Sequence, residues 1–319
     1  MHDSCLHSGE KSWQLTRSSC DIVDNRYSFV LLQTKYRIQK RNCRLGNLAC
    51  ENSILHPAVS RIKHSPWKPG DCCTGDKDAM ESFKEELVRR MNNAKLYPFY
   101  GLLSIYYVSY LPFWNYPPVT FSAAFFKALP IWSLAFFVRQ TAGAQQADIF
   151  PKDCYSKFIM LGLLISSVGD ACLVSRYTLF IPGMLAFMIA HCCYLLAFGP
   201  SEVPGSRMKS LYALCGLAAF LFISNAIDSY FMQLIVLCYF VVIFVVSWRA
   251  QARYERTQTY SALFGSIGMV FFMFSDFIIA TDKWKFYVPF SEFIVLSFYY
   301  MAQFCIALST EEEEKQELD

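Results

Sequence analysis

The chain has 319 residues, of which 54% are hydrophobic, 17% aromatic and only 17% charged, and its mean hydropathy is +0.26. A pair of ordinary water-soluble domains would carry about 25% charged residues, so a soluble fold is excluded as the main organisation. Of the 55 Asp, Glu, Lys and Arg residues, 34 lie in residues 1–97 and 309–319, which leaves 21 for the 211 residues between them. The middle of the chain is built for a bilayer.

Residues 1–97 read as an N-terminal cytosolic arm, mostly disordered, with 16 Lys/Arg against 11 Asp/Glu and no apolar run longer than Phe29-Val30-Leu31-Leu32. That run is too short for the roughly 7–15 apolar residues of a secretory signal. The six cysteines of the arm (Cys5, Cys20, Cys43, Cys50, Cys72, Cys73) lack the short regular separations of a zinc site. A net charge of +5 over the arm is too diffuse to indicate nucleic-acid binding, and none is expected. The stretch Glu81 to Lys95 favours helix, and a product starting at Met80 would keep the whole membrane part.

From Pro98 onward, apolar runs alternate with short polar breaks, and about 20 residues cross hydrocarbon as a helix. Eight spans are expected: 98–114, 120–138, 157–175, 179–198, 208–225, 229–248, 260–280 and 286–308. Helices satisfy their own backbone groups in lipid, so the predicted fold is all-α, a polytopic membrane bundle of eight transmembrane helices over 98–308. Residues 309–319 form an acidic tail. Thirteen Lys/Arg fall in the segments on the side of the N-terminus and three (Arg176, Lys283, Lys285) on the other, which predicts both termini in the cytosol. The seven core cysteines are expected as small buried hydrophobes.

An ionisable side chain inside a membrane is costly and is a functional candidate by default. The set is Lys127 in span 2, Asp170 in span 3, His191 in span 4, Asp276 in span 7 and Glu292 in span 8. A rise of about 1.5 Å per residue puts the four charged groups in one leaflet and His191 nearer the middle. Residues three and four apart share a helix face, which adds Ser166, Tyr194, Ser275, Tyr299 and Gln303 to the same stripes. Plainer roles compete: Asp170 with Lys127 as a buried structural ion pair, His191 as a hydrogen-bonded core residue, Glu292 as a solvated interfacial carboxylate, and the tyrosines as packing. Gly162-Leu-Leu-Ile-Ser-Ser-Val-Gly-Asp170 echoes Gly268-Met-Val-Phe-Phe-Met-Phe-Ser-Asp276 at an offset of 106. The echo pairs spans 3 and 4 with spans 7 and 8, with two acids expected around a shared cavity.

The motifs Lys127-Ala-Leu-Pro130, Ser167-Val-Gly-Asp170, Pro182-Gly-Met-Leu-Ala-Phe187 with His191 and Tyr194, Phe272-Met-Phe-Ser-Asp276 and Tyr299-Tyr-Met-Ala-Gln303 stand in order along the spans. With them the chain resembles the lysoplasmalogenase (YhhN-like) family of eight-span membrane proteins, and its vertebrate-type members in particular. The resemblance covers about residues 97–309. It implies hydrolysis of the vinyl ether bond of a lysoplasmalogen to a fatty aldehyde and glycerophosphocholine or glycerophosphoethanolamine, at the endoplasmic reticulum. The implied partners are a lysophospholipid substrate and membrane lipid, and a homodimer is compatible with the sequence.

Vinyl ether hydrolysis starts with proton transfer to the outer alkene carbon and passes through an oxocarbenium ion that water traps. Glycosidases manage a similar cation with two carboxyl groups in unlike environments. Asp170 and Asp276 are therefore the expected catalytic pair, with acid and base unassigned. Lys127, His191, Tyr194, Ser275, Glu292, Tyr299 and Gln303 are expected to bind or position substrate and water. No H-E-x-x-H motif or nucleophile elbow is present, so neither a metal nor any other cofactor is expected. The competing class is a lipid or small-molecule transporter or receptor, which an eight-helix bundle with a polar midsection also suits.

Overall fold

The computed structural model describes residues 75–110, 118–143, 149–199 and 208–311. The expectations for residues 1–74 and for the tail after residue 311 lie outside the described residues. Every described element is helical: α1 (Gly75–Met91), a short 3-10 turn (Ala94–Leu96), α2 (Tyr97–Tyr110), α3 (Phe121–Thr141), α4 (Cys154–Val174), α5 (Phe180–Phe198), α6 (Met208–Ser224), α7 (Tyr230–Thr257), α8 (Tyr260–Ala280), a wide π turn (Thr281–Lys285) and α9 (Ser291–Leu308).

Local chemistry sets several of the boundaries. The side chains of Thr120, Asp153, Ser229 and Thr259 accept hydrogen bonds from the backbone N–H groups of Ala123, Ser156, Met232 and Ala262. Each cap satisfies a donor that the first helical turn leaves orphaned. The expected start of the last span at 286 moves to Ser291. Pro289 cannot donate to a helix ladder and restricts the residue before it, and Phe290 takes a left-handed φ of 56° before the helix begins.

Six helices, α3, α4, α5, α7, α8 with the π turn, and α9, are long and apolar enough to cross a membrane. The two remaining expected spans, 98–114 and 208–225, correspond to α2 with 14 residues and α6 with 17. Their described residues fall short of the roughly 20 of a full crossing, and residues 111–117 and 200–207, which adjoin them, lie outside the described residues. α7 runs to Thr257, beyond the expected 248. Its extension is tied down by Arg249, which donates to the Gly199 carbonyl, and by Arg253, which donates to the Tyr155 hydroxyl at 2.9 Å and lies 4.1 Å from that ring's centre.

The six long helices touch in the order α3, α4, α5, α7, α8, α9 and back to α3, a closed ring with α9 also reaching α4. α2 packs outside on α3, and α6 on α7. The two most extensive helix seams are α4 with α5 and α8 with α9, the two halves of the sequence echo. The aligned glycines do the same work in each. A Cβ on Gly162 would lie 2.2 Å from the Tyr194 ring, and one on Gly268 would lie 2.8 Å from Ile306 and 2.9 Å from the Ala302 carbonyl. Only a bare backbone lets these helices approach so closely.

α1 falls within the stretch assigned to the arm, and its end is anchored in the bundle. Arg90 is fully buried and donates to Glu86, to Ser261 on α8, and to the carbonyls of Leu308 and Glu311. The core cysteines correct the expectation that they are buried: among the seven, only Cys305 is, while Cys154, Cys192, Cys215 and Cys238 are exposed on the helix surfaces. A thiol is apolar enough to face lipid as readily as a core.

Candidate active site

Polar side chains gather in three clusters inside the ring. The first joins α5, α7 and α8. The Tyr239 hydroxyl donates to Asp276 Oδ2 at 2.6 Å and lies 3.2 Å from His191 Nε2, which is itself 3.5 Å from the same carboxylate oxygen. His191 is fully buried, and among the described residues its Nδ1 has no hydrogen-bond partner. Asp276 is the more open of the two aspartates, with 15% of its side chain exposed. His191 and Asp276 therefore stand at one level, where the count of residues along the helix had put His191 deeper.

The second cluster joins α4, α5 and α9. The Tyr299 hydroxyl donates to Asp170 Oδ2 at 2.5 Å, and the Tyr194 hydroxyl donates to Gln303 Oε1 at 2.7 Å. All four residues are buried. Tyr299, expected on the Glu292 stripe, thus meets Asp170, and Tyr194, expected on the His191 stripe, meets Gln303.

The third cluster lies toward the π turn. Lys127 Nζ is 3.3 Å from Glu292 Oε1, Arg176 donates to the other oxygen of Glu292, and Arg176 is also 3.9 Å from Asp282. Asp282 in turn accepts from the Val288 backbone N–H and the Ser291 hydroxyl, both at 2.9 Å, which fixes the connection that delivers Glu292. Two plainer expectations fail here. Glu292 is a buried ion-pair partner instead of a solvated carboxylate, and Lys127 pairs with Glu292, while Asp170 lies close enough only for longer-range attraction.

Among the described residues no hydrogen bond or ion pair joins Asp170 to Asp276, and the expected shared chamber is divided by aromatic rings. Phe272 packs on His191 with centroids 4.5 Å apart and on Tyr299 at 5.5 Å, and Phe187 packs on Phe272 at 6.0 Å and Tyr299 at 5.7 Å. Their edge-to-face contacts fill the space between the carboxylates. A cavity of about 50 Å³ lies on one side of this partition, lined among others by Asp276, Tyr239, Phe187, Phe240 and Trp284, and Asp170 does not line it. Ser275 turns away, donating to the Val295 carbonyl across the α8 and α9 seam.

Sequence reasoning missed Tyr239, Arg176 and Asp282. Tyr239 carried a signal, a single hydroxyl within the otherwise apolar run Leu234 to Val246. Arg176 stands in the sequence only as one of the three loop charges on its side. Asp282 sits in the π turn that follows α8, and nothing in its spacing marks it.

The arrangement offers two carboxylates, each tied to a tyrosine hydroxyl, in unlike surroundings. One borders a cavity beside a histidine and the other is sealed among aromatic rings. A family profile described as the YhhN family matches residues 122–310, a stretch that contains all the residues of the three clusters. The chain is 31% identical over 232 residues to "Lysoplasmalogenase TMEM86A" of Bos taurus, covering 72% of this chain and 93% of that relative. It is 30% identical over 235 residues to the Homo sapiens protein of the same name, covering 72% and 93%. It is 31% identical over 214 residues to "Lysoplasmalogenase TMEM86B" of Homo sapiens, covering 67% and 85%. No solved structure matches.

Proposed function

Since the chain belongs to the YhhN family, we propose that it is a lysoplasmalogenase, an ether hydrolase that cleaves the vinyl ether bond of a lysoplasmalogen within the membrane. The observation that carries the reading is the pair of intramembrane aspartates, each hydrogen-bonded to a tyrosine and held apart by Phe187 and Phe272.

Asp276 is the group that meets the substrate, because it borders the cavity. In the proposed reaction one carboxylic acid gives its proton to the outer alkene carbon, which leaves a positive charge shared by the inner carbon and the ether oxygen. Water then attacks the inner carbon and returns a proton to the carboxylate. The resulting hemiacetal splits into fatty aldehyde and the glycerol hydroxyl, so one water is consumed and the acid is regenerated. Tyr239 and His191 orient the Asp276 carboxyl and receive or return its proton. Asp170 is the second carboxyl of the pair, and the dipoles of the polar groups around it favour the cation in a site from which bulk water is kept out. Lys127, Glu292 and Arg176 hold α3, α4 and α9 in register on its π-turn side.

The family's eight-span topology extends to this chain if α2 and α6 count as the two short crossings. An endoplasmic-reticulum membrane, with both termini cytosolic, is the accompanying proposal. Reporter tags at the two ends check it, and a lumenal N-terminus overturns it.

The decisive experiment incubates purified protein in detergent with a lysoplasmalogen and follows aldehyde release, with no vesicle or gradient present. General acid or base groups typically supply about 100-fold to 10,000-fold in rate. Asp276→Asn and Asp170→Asn are therefore each expected to lose at least about 100-fold. Folded variants that keep full hydrolysis refute the two-acid mechanism.

A further inference from the structure

The cavity beside Asp276, at about 50 Å³, is far smaller than the roughly 300–1,000 Å³ of ordinary ligand sites. A second space has the right size. A furrow of about 340 Å³ runs between α6 and α7, walled by Tyr212, Leu217, Phe220, Leu237, Val241 and Phe244 among others. Phe240 and Phe244 line both spaces, so a pair of stacked rings is the shared wall between the small cavity and the furrow. Gly216 on α6 leaves room for Phe244, since a Cβ there would lie 3.0 Å from its ring.

The other end of the small cavity is marked by charge. Trp284 and Phe180 line it, and Lys283 Nζ sits 4.1 Å from the centre of the Phe180 ring and 5.8 Å from that of Trp284. Lys285 Nζ lies 5.0 Å from the centre of the Phe222 ring of α6. Both lysines are exposed. Seven residues of helix put Asp276 roughly 10 Å below Lys283.

We infer that the cavity and the α6–α7 furrow form one passage for a single hydrocarbon chain, entered from the π-turn end, where Lys283 and Lys285 hold the phosphate of a one-chain phospholipid. This rests on the hydrolase reading. A vinyl ether bond adjoins the glycerol, so a headgroup at the lysines brings the reacting carbons to the level of Asp276. The rest of the chain then continues past Phe240 and Phe244 into the furrow, whose apolar walls face it along α6 and α7. The furrow's volume also admits one chain more readily than two, which fits a lysolipid over a two-chain phospholipid.

The test has two parts on the full chain in lipid nanodiscs. A saturated alkyl-ether lysophospholipid with a diazirine near the chain end is cross-linked first, and labelling is expected on α6 and α7 around Leu217 and Val241. Labelling spread over other lipid-facing residues, such as Phe121 and Phe125 of α3, overturns the passage. Leu217→Trp and, separately, Val241→Trp narrow the furrow from opposite walls. Each is expected to lower kcat/KM for a long-chain lysoplasmalogen about tenfold more than for a short-chain one, the worth of about two buried methylenes. Equal losses at both lengths overturn the passage. Lys283→Ala with Lys285→Ala is expected to raise KM at both lengths with kcat kept, and an unchanged KM removes the lysines from the proposal. If the wild-type chain hydrolyses no lysoplasmalogen, the hydrolase reading fails, while the cross-linking pattern still decides where a chain binds.

Discussion

Replacing Glu292 by Gln tests how much the third cluster depends on charge. The side chains of Lys127 and Glu292 are only 4% and 6% exposed at 3.3 Å, and Arg176 contacts the same carboxylate. Gln keeps the volume and an acceptor oxygen, so the change removes little besides the negative charge. Arg176 then keeps Asp282 at 3.9 Å, and Lys127 keeps the longer-range attraction of Asp170 in place of its close carboxylate. Removing one partner of a buried ion pair costs about 3–5 kcal/mol, against about 0–1 kcal/mol for an exposed pair. Glu292→Gln is therefore expected to lower stability by about 3 kcal/mol or more. The measurement is a reversible denaturation titration in mixed micelles, monitored by tryptophan fluorescence. Lys127→Met combined with Glu292→Leu removes both charges and leaves Arg176 with Asp282. That double variant is expected to recover most of the loss, because an apolar pair of similar volume often matches a buried ion pair. A single-variant loss below about 1 kcal/mol refutes the claim that the cluster is buried and mutually dependent.

Tyr239→Phe deletes the hydroxyl shared by His191 and Asp276 and leaves the ring packing in place. A hydrogen bond to a charged group contributes about 1.5–3 kcal/mol, so kcat is expected to fall roughly 10-fold to 150-fold with a changed pH profile, and an unaltered profile removes Tyr239 from the proton path. Arg90→Met removes a buried charged donor from the Leu308 and Glu311 carbonyls, which keep only the Glu311 N–H and the Ser261 hydroxyl. It is expected to free α1, read as protease cleavage within residues 80–91 at concentrations that spare the wild type. Glu86 is held down to a pKa of about 2, from 4.5, chiefly by the hydrogen bond from Arg89, with Arg90 adding to it. A depressed carboxylate stabilises the folded form above its ordinary value and stops doing so as pH falls through the lowered one. The hold on α1 is thus expected to weaken between about pH 4.5 and pH 2, measured by hydrogen exchange along α1, and Glu86→Gln abolishes that dependence.

Much of this was legible because lipid imposes simple rules. Six spans follow from apolar length alone, and the buried set Lys127, Asp170, His191 and Glu292 stands out because ionisable groups are rare in hydrocarbon. Helical spacing put Tyr299 and Gln303 on one face with Glu292, and all three are buried on α9. Partner choice was not legible. Whether Lys127 meets Asp170 or Glu292 depends on helix rotation and on Arg176, which leaves the end of α4 and turns back toward α9. The depth of His191 was misjudged because counting residues along one helix ignores the vertical offset of its neighbour. Phe187 and Phe272 stand in the sequence motifs, but their role as a partition depends on ring orientation, which spacing does not encode.

The echo between the two helix pairs explains why a single membrane site would hold two unlike acids. Asp170, on the first helix of one pair, bonds to Tyr299 on the second helix of the other pair, and Asp276 correspondingly lies 3.5 Å from His191. The cross-over is reciprocal, and Tyr299 and His191 are 108 residues apart, close to the offset of 106 between the aspartates. Each carboxyl thus reaches a side chain on the second helix of the other pair. What makes them differ is the second neighbour. Asp276 has Tyr239 of α7 and borders a cavity, whereas Asp170 is sealed beside the Lys127, Glu292 and Arg176 cluster. A reaction that must first give a proton and then shelter a cation needs that asymmetry, and the unlike neighbours of the two carboxyls supply it.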